Sequence, residues 1–114
     1  MEIKIITNTI TAQEVKKMAE DIFGDMVKAA VDVERKIIAI GGELHADAEA
    51  MLINYGSEQK NIWGINIYPD KPKNERIEYI SLINIRPKQN NKSMKIEDTA
   101  LQNIIKKIID SAIQ

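Results

Sequence analysis

Residues 26–41 read MVKAAVDVERKIIAIG. Val27, Ala29, Val31 and Val33 alternate with Lys28, Ala30, Asp32 and Glu34, the period-2 pattern of a strand with two different faces. Lys36–Gly41 follows as a second β-rich run. The connection around Glu34–Lys36 has no room for a crossover, so Met26–Glu34 and Lys36–Gly41 are expected to form a hairpin. That turn contains neither Gly nor Asn, and composition alone does not name its type. A hairpin at this point argues against a parallel, doubly wound sheet, whose strands need long crossovers.

Upstream of the hairpin, Glu2–Ile6 reads as a short strand rich in Ile. Thr11 and Glu14 have capping-box spacing, and Ile10 with Val15 suits a hydrophobic staple. Val15, Met18, Ala19, Ile22 and Phe23 then make one helical stripe that Gly24 ends. Downstream, Gly41-Gly42 marks a break. A second helix is expected over Ala46–Tyr55, with Ala48, Met51, Leu52 and Tyr55 as its stripe and Gly56 as its stop. Ile62–Tyr68 and Arg76–Arg86 form a second strand pair around the polar loop 69–74, and Pro87 closes it because proline cannot donate to a ladder. After the polar segment Lys88–Lys95, Asp98 or Thr99 caps a last helix with Leu101, Ile104, Ile105, Ile108, Ile109 and Ala112 on one face. The order β-α-β-β-α-β-β-α predicts an α+β fold. It is one mostly antiparallel sheet with two hairpins and three packed helices, on one or both faces.

The 114 residues suit one domain over 1–114. A formal net charge of -1 gives no general case for a nucleic-acid coat. Cysteine is absent, which excludes disulfides, thiolate metal sites and a Cys nucleophile. No apolar run approaches the ~20 residues of a membrane span, and no signal-peptide pattern opens the chain, so no membrane association and a cytoplasmic location are expected. The 22 Ile, 13 Lys and 9 Asn are a compositional bias that discounts any argument from a single Asn.

Gly41-Gly42-Glu43-Leu44-His45-Ala46-Asp47 is the strongest local oddity. A Gly pair before a helix start can offer backbone amides to an anion, but it also serves as a plain turn with positive φ. The Lys and Ser/Thr of a phosphate loop are missing. His45, the single His, has the ordinary pKa of a general acid/base, with Glu43 and Asp47 as candidate orienting groups. The same three residues also read as helix-flanking groups meeting a dipole. No metal set and no cofactor motif stands out. Ser57, Ser81, Ser93 and Ser111 lie outside any nucleophile-elbow context.

The second strand pair is more informative. Trp63, Ile65 and Ile67 share one face, and in one register Asn66, Asn84 and Arg86 share the other. A one-residue slip would undo this. Buried polar groups need partners, so these three bond either one another or a ligand. Arg86, Lys88, Lys92 and Lys95 then carry positive charge with no acid between them. Before residue 60 the chain has 6 basic and 11 acidic residues, net -5. From Lys60 on it has 10 and 6, net +4. Such asymmetry can focus an anion. Nucleic acid is disfavoured, since there are five aromatics and no stacking motif among the lysines.

FGDMVKAAVDVE (23–34), GGELHADAE (41–49), WGINIYP (63–69) and INIRPKQNNKS (83–93) together resemble a family of small prokaryotic proteins known only as a domain of unknown function. The resemblance spans nearly the whole chain and implies no activity, substrate or cofactor. The residues that carry it include Gly41, Gly42, Glu43, His45, Asp47, Trp63, Gly64, Asn66, Asn84, Arg86, Pro87, Asn91 and Ser93.

Three functions follow as expectations. The first is binding of a small anionic ligand or an acidic partner segment. Arg86 would supply a planar fork, Asn66 and Asn84 would orient the ligand, and Lys88, Asn91, Lys92 and Ser93 would line the adjoining loop. The second is a hydrolase or phosphoryl-handling enzyme using His45 with Glu43 or Asp47, close to Arg86. The third is a homodimeric interaction module, joined by sheet edges or the last helix.

Overall fold

The computed structural model describes residues 2–114. In chain order its elements are β1 (Ile3–Ile6), α1 (Ala12–Ile22), β2 (Val27–Asp32), β3 (Ile37–Gly41), α2 (His45–Asn54), β4 (Ile62–Ile67), β5 (Ile77–Glu78) and α3 (Thr99–Ala112), with short 3-10 turns at Gln59–Asn61, Leu82–Asn84 and Pro87–Gln89. The strands form one antiparallel sheet in the order β1-β3-β2-β4-β5. The α+β class and the overall element order are those expected from the residue pattern.

The β2–β3 hairpin is closed by Asp32. Its Oδ1 accepts the N–H groups of Glu34 and Arg35, each at 3.0 Å, and its carbonyl accepts Lys36 N–H at 2.8 Å. Lys36 takes a left-handed φ of 58° to re-enter the sheet. The turn is thus specified by an Asp in the strand and a left-handed Lys, two signals that a search for Gly or Asn passes over.

The pleat sends alternate side chains to opposite faces. Val27, Ala29, Val31, Ile38, Ile40, Trp63, Ile65 and Ile67 pack under α1 and α3, together with Val15, Ala19, Ile105 and Ile109. Ala30, Ile37, Ala39 and Ile62 meet Ala48 and Leu52 of α2 on the other face. Thr11 Oγ1 caps α1 through Glu14 N–H at 3.1 Å, but Glu14 pairs with Lys4 instead of reaching back, so the capping box is half formed. Asp98 caps α3 through Ala100 N–H at 2.9 Å. In α2 the buried face is His45, Ala48 and Leu52, while Met51 and Tyr55 of the expected stripe are exposed. The helix covers small residues, so it lies close and hides a narrow strip.

One element departs from expectation. The strand expected over Arg76–Arg86 pairs only at Asn66↔Glu78 and Ile67↔Ile77. Beyond Tyr79 the chain bridges once to Lys95 through Ile80 and then turns, with Ser81 Oγ accepting Ile83 N–H at 3.2 Å. β-Branched composition favours a strand here, yet Ser81 and Asn84 offer the backbone local bonds that compete with a ladder. The free edge of β4 is met by a side chain instead. Asn84 Oδ1 accepts Gly64 N–H at 2.8 Å, and its Nδ2 donates to Gly64 O at 2.9 Å. One carboxamide thereby replaces a backbone peptide. Gly64 lets the 81–83 turn lie this close to β4, because a Cβ there would lie 2.6 Å from Ser81 Cβ.

Candidate functional site

Arg86 lies where β4 begins and beside α2. Its Nε donates to Ile83 O at 3.0 Å, Nη1 to Gln59 O at 2.9 Å, and Nη2 to Ile62 O and to Glu49 Oε2, the latter at 3.3 Å. The guanidinium carbon lies 4.6 Å from the Trp63 ring centroid, and the side chain is 10% exposed. A guanidinium has five N–H groups, so one remains for anything else. Burial works against the charge, and the Glu49 carboxylate opposes that effect. Arg86 borders a cleft of about 570 Å³ together with Glu49, Gln59, Pro87 and Lys88.

Asn91 organises the loop that follows. Its Nδ2 lies 2.7 Å from Asn84 O and 3.0 Å from both Ser93 O and Lys95 O, and its Oδ1 accepts Glu97 N–H at 2.9 Å. Glu97 Oε2 in turn accepts Ser93 Oγ at 2.8 Å and the N–H groups of Lys92 and Ser93. Those bonds, the Ser93 hydroxyl first, hold the Glu97 carboxyl below its usual range. The side chains of Asn84, Asn91 and Ser93 are therefore occupied by bonds within the protein. Lys88 and Lys92 are exposed.

Asn66 differs. Its Nδ2 donates to Glu78 Oε1 at 2.8 Å, and Tyr68 O–H donates to the same oxygen at 3.2 Å. Its Oδ1 is buried and has no hydrogen-bond partner. Asn66 belongs to the floor of a second cleft, about 450 Å³, between the first turn of α2 and the 80–83 turn. His45, the first residue of α2, lines it as well. His45 Nε2 lies 2.9 Å from Ile65 O and must carry the proton there, since a carbonyl only accepts. Burial lowers the His45 pKa from its ordinary 6.5; the Ile65 carbonyl and Asn66 oppose the shift, and the Lys28 charge adds to it. His45 is thus neutral at pH 7. Leu44, Ile80, Leu82 and Met94 form an apolar rim with exposures of 57%, 37%, 71% and 40%.

The structure brings His45 and Asn66 together in one cleft, and puts Arg86 and Lys88 in another; Leu82 and Ile83 border both. Glu43 and Asp47 are exposed and make no side-chain hydrogen bond to His45. Among the described residues no group of three or more His, Asp or Glu side chains is arranged to hold a metal ion. Lys28 and the rim residues Leu44, Leu82 and Met94 join the cleft without any motif in the sequence that marks them. Lys28 gives no signal beyond its place in a strand; Leu44, Leu82 and Met94 are large apolar side chains that lie outside the α-helices and strands of the fold.

The architecture is an α+β fold built on an open five-stranded antiparallel sheet with helices on both faces. The chain belongs to the DUF5674 family, described as proteins of unknown function, whose model matches residues 4–112. No curated protein and no solved structure matches it. No helix of the described residues is long and apolar enough to cross a membrane.

Proposed function

We propose that this is a binding domain, and that its site is the cleft over Asn66 and His45. The ligand has an apolar body and presents one N–H or O–H donor. The observation that carries this reading is Asn66, which lines an apolar cleft and whose buried carbonyl oxygen has no hydrogen-bond partner. An unmade bond at a buried acceptor costs about 1–3 kcal/mol, which a ligand donor would restore. Apolar walls with few convergent polar groups are what small-ligand sites use.

The alternatives have less support. A bidentate anion fork at Arg86 needs two free N–H groups, and four of the five are bonded within the protein. A hydrolase using His45 needs an orienting carboxylate, whereas Nε2 faces the Ile65 carbonyl. The test is an ¹⁵N NMR titration with N-acetyl-leucinamide, a neutral probe with an apolar side chain and amide donors. Shifts are expected at Ala46, Ser81 and Met94, with affinity reduced about tenfold in Asn66→Ala. Leu82→Ser, on an exposed turn, should weaken binding without affecting the fold. Shifts confined to the Arg86 cleft, or none at saturating probe, contradict the reading.

A further inference from the structure

We infer that the ligand of this cleft is the free carboxy-terminus of an apolar peptide. The inference rests on the binding reading above and adds the charge and the polymer.

The first turn of α2 has no side-chain cap. Leu44 occupies the N-cap position in an extended conformation with no side-chain acceptor, whereas Thr11 caps α1 and Asp98 caps α3; the Leu44 carbonyl takes Asp47 N–H at 3.1 Å, so the amides left at this turn are those of His45 and Ala46. The leading N–H groups of a helix have no intrahelical partner and carry partial positive charge, which favours a carboxylate. Gly41 and Gly42, at φ of 115° and 80°, turn the chain out of β3 and into this helix start, a backbone path that L side chains rarely follow.

The uncapped turn does not stand alone. Asn66, 7% exposed, lines the same cleft, and its buried Oδ1 has no hydrogen-bond partner. Lys28 lines the cleft, is paired in register with Asn66, and makes no ion pair among the described residues. Its Nζ rests 5.1 Å from the Phe23 ring centroid, a weak partner that a carboxylate would replace. Glu78 is the nearby acid, but it is hydrogen-bonded by Asn66 Nδ2 and Tyr68 O–H and does not line the cleft.

A carboxylate needs donors and the Asn66 oxygen needs a donor from the ligand. A terminal residue of a peptide meets both demands with its own α-carboxylate and backbone N–H, and its side chain enters the apolar space. The rim then selects a chain over a lone amino acid derivative. Leu82 and Met94 extend exposed apolar surface past the floor, enough to meet a residue preceding the terminal one.

The experiment is calorimetry on the full chain with four probes: acetyl-Gly-Ile-Leu as free acid, the same peptide as amide, acetyl-leucine and N-acetyl-leucinamide. The free-acid peptide should bind about tenfold tighter than its amide, and Lys28→Gln should remove most of that advantage. Added salt should shrink it too. Equal affinity for acid and amide overturns the inference and leaves the binding reading standing. Acetyl-leucine matching the tripeptide overturns the assignment to a peptide. Binding by none of the four overturns both readings.

Discussion

Asn84 shows how one side chain can finish a sheet. Its carboxamide serves both backbone groups of Gly64 and also donates to Met94 O at 3.1 Å. Removing it leaves buried backbone groups unpaired, so Asn84→Ala should cost roughly 2–4 kcal/mol in urea unfolding. A loss under about 0.5 kcal/mol would mean that Gly64 finds other partners. Arg86→Lys should also destabilise without any ligand, by about 1–3 kcal/mol, because an ammonium cannot reproduce the fan of bonds or the stacking on Trp63. An unchanged denaturation midpoint would return Arg86 to the list of free ligand-binding groups. The sequence pointed to Asn66, Asn84 and Arg86 as a polar set within apolar surroundings. What it could not separate was the partner of each. That depends on where the backbone of Ser81–Ile85 turns, and β-branched composition there favoured a strand. His45 carries a pH signature. Its buried form is neutral and its pKa is lowered from 6.5, so the unfolded chain binds the extra proton first. Stability should be full above pH 6.5 and should fall as pH drops through the lowered folded value. In His45→Gln that part of the pH dependence should vanish; a wild-type slope retained in the variant would assign it elsewhere.

At the scale of elements, helices were read more securely than strands. The stripe of α3 buries Ile105, Ile108, Ile109 and Ala112, while Ile104 is 46% exposed. Ile105→Ala should therefore cost about 2–5 kcal/mol, and Ile104→Ala under about 0.5 kcal/mol. Equal costs would put the wrong face of α3 on the sheet. The outer side of α3 is tied by Asp110, which accepts from Arg76 at 3.0 Å and from Lys106. Burial would raise the Asp110 pKa, but those two cations outweigh it and hold it below 3.8. Its contribution is thus present above pH 3.8 and lost only as pH falls below that. In α2 the apolar period overstated the buried face, since Met51 and Tyr55 satisfy the spacing but not the packing. Residue pattern reports which faces could be buried; the sheet's small residues, Ala30 and Ala39, decide how wide a strip the helix covers.

For the whole molecule, the central strand pair positions everything else. β2 and β3 lie inside the sheet, with β1 on one side and β4 on the other. One face is sealed by two helices and the other only by α2, so the second face has open ground where α2 begins and β5 ends. The cleft occupies that ground. A helix start, a strand edge and a reverse turn meet there from three separate parts of the chain, which is why no local motif announced it. The measurement that tests this most directly is intermolecular NOE spectroscopy on methyl-labelled protein with N-acetyl-leucinamide. Cross-peaks are expected from the ligand's leucine methyls to Ile83 and Met94, with their loss in Asn66→Ala. Cross-peaks instead to Ile85 alone, on the Arg86 side, or none at a saturating concentration, would contradict binding in this cleft.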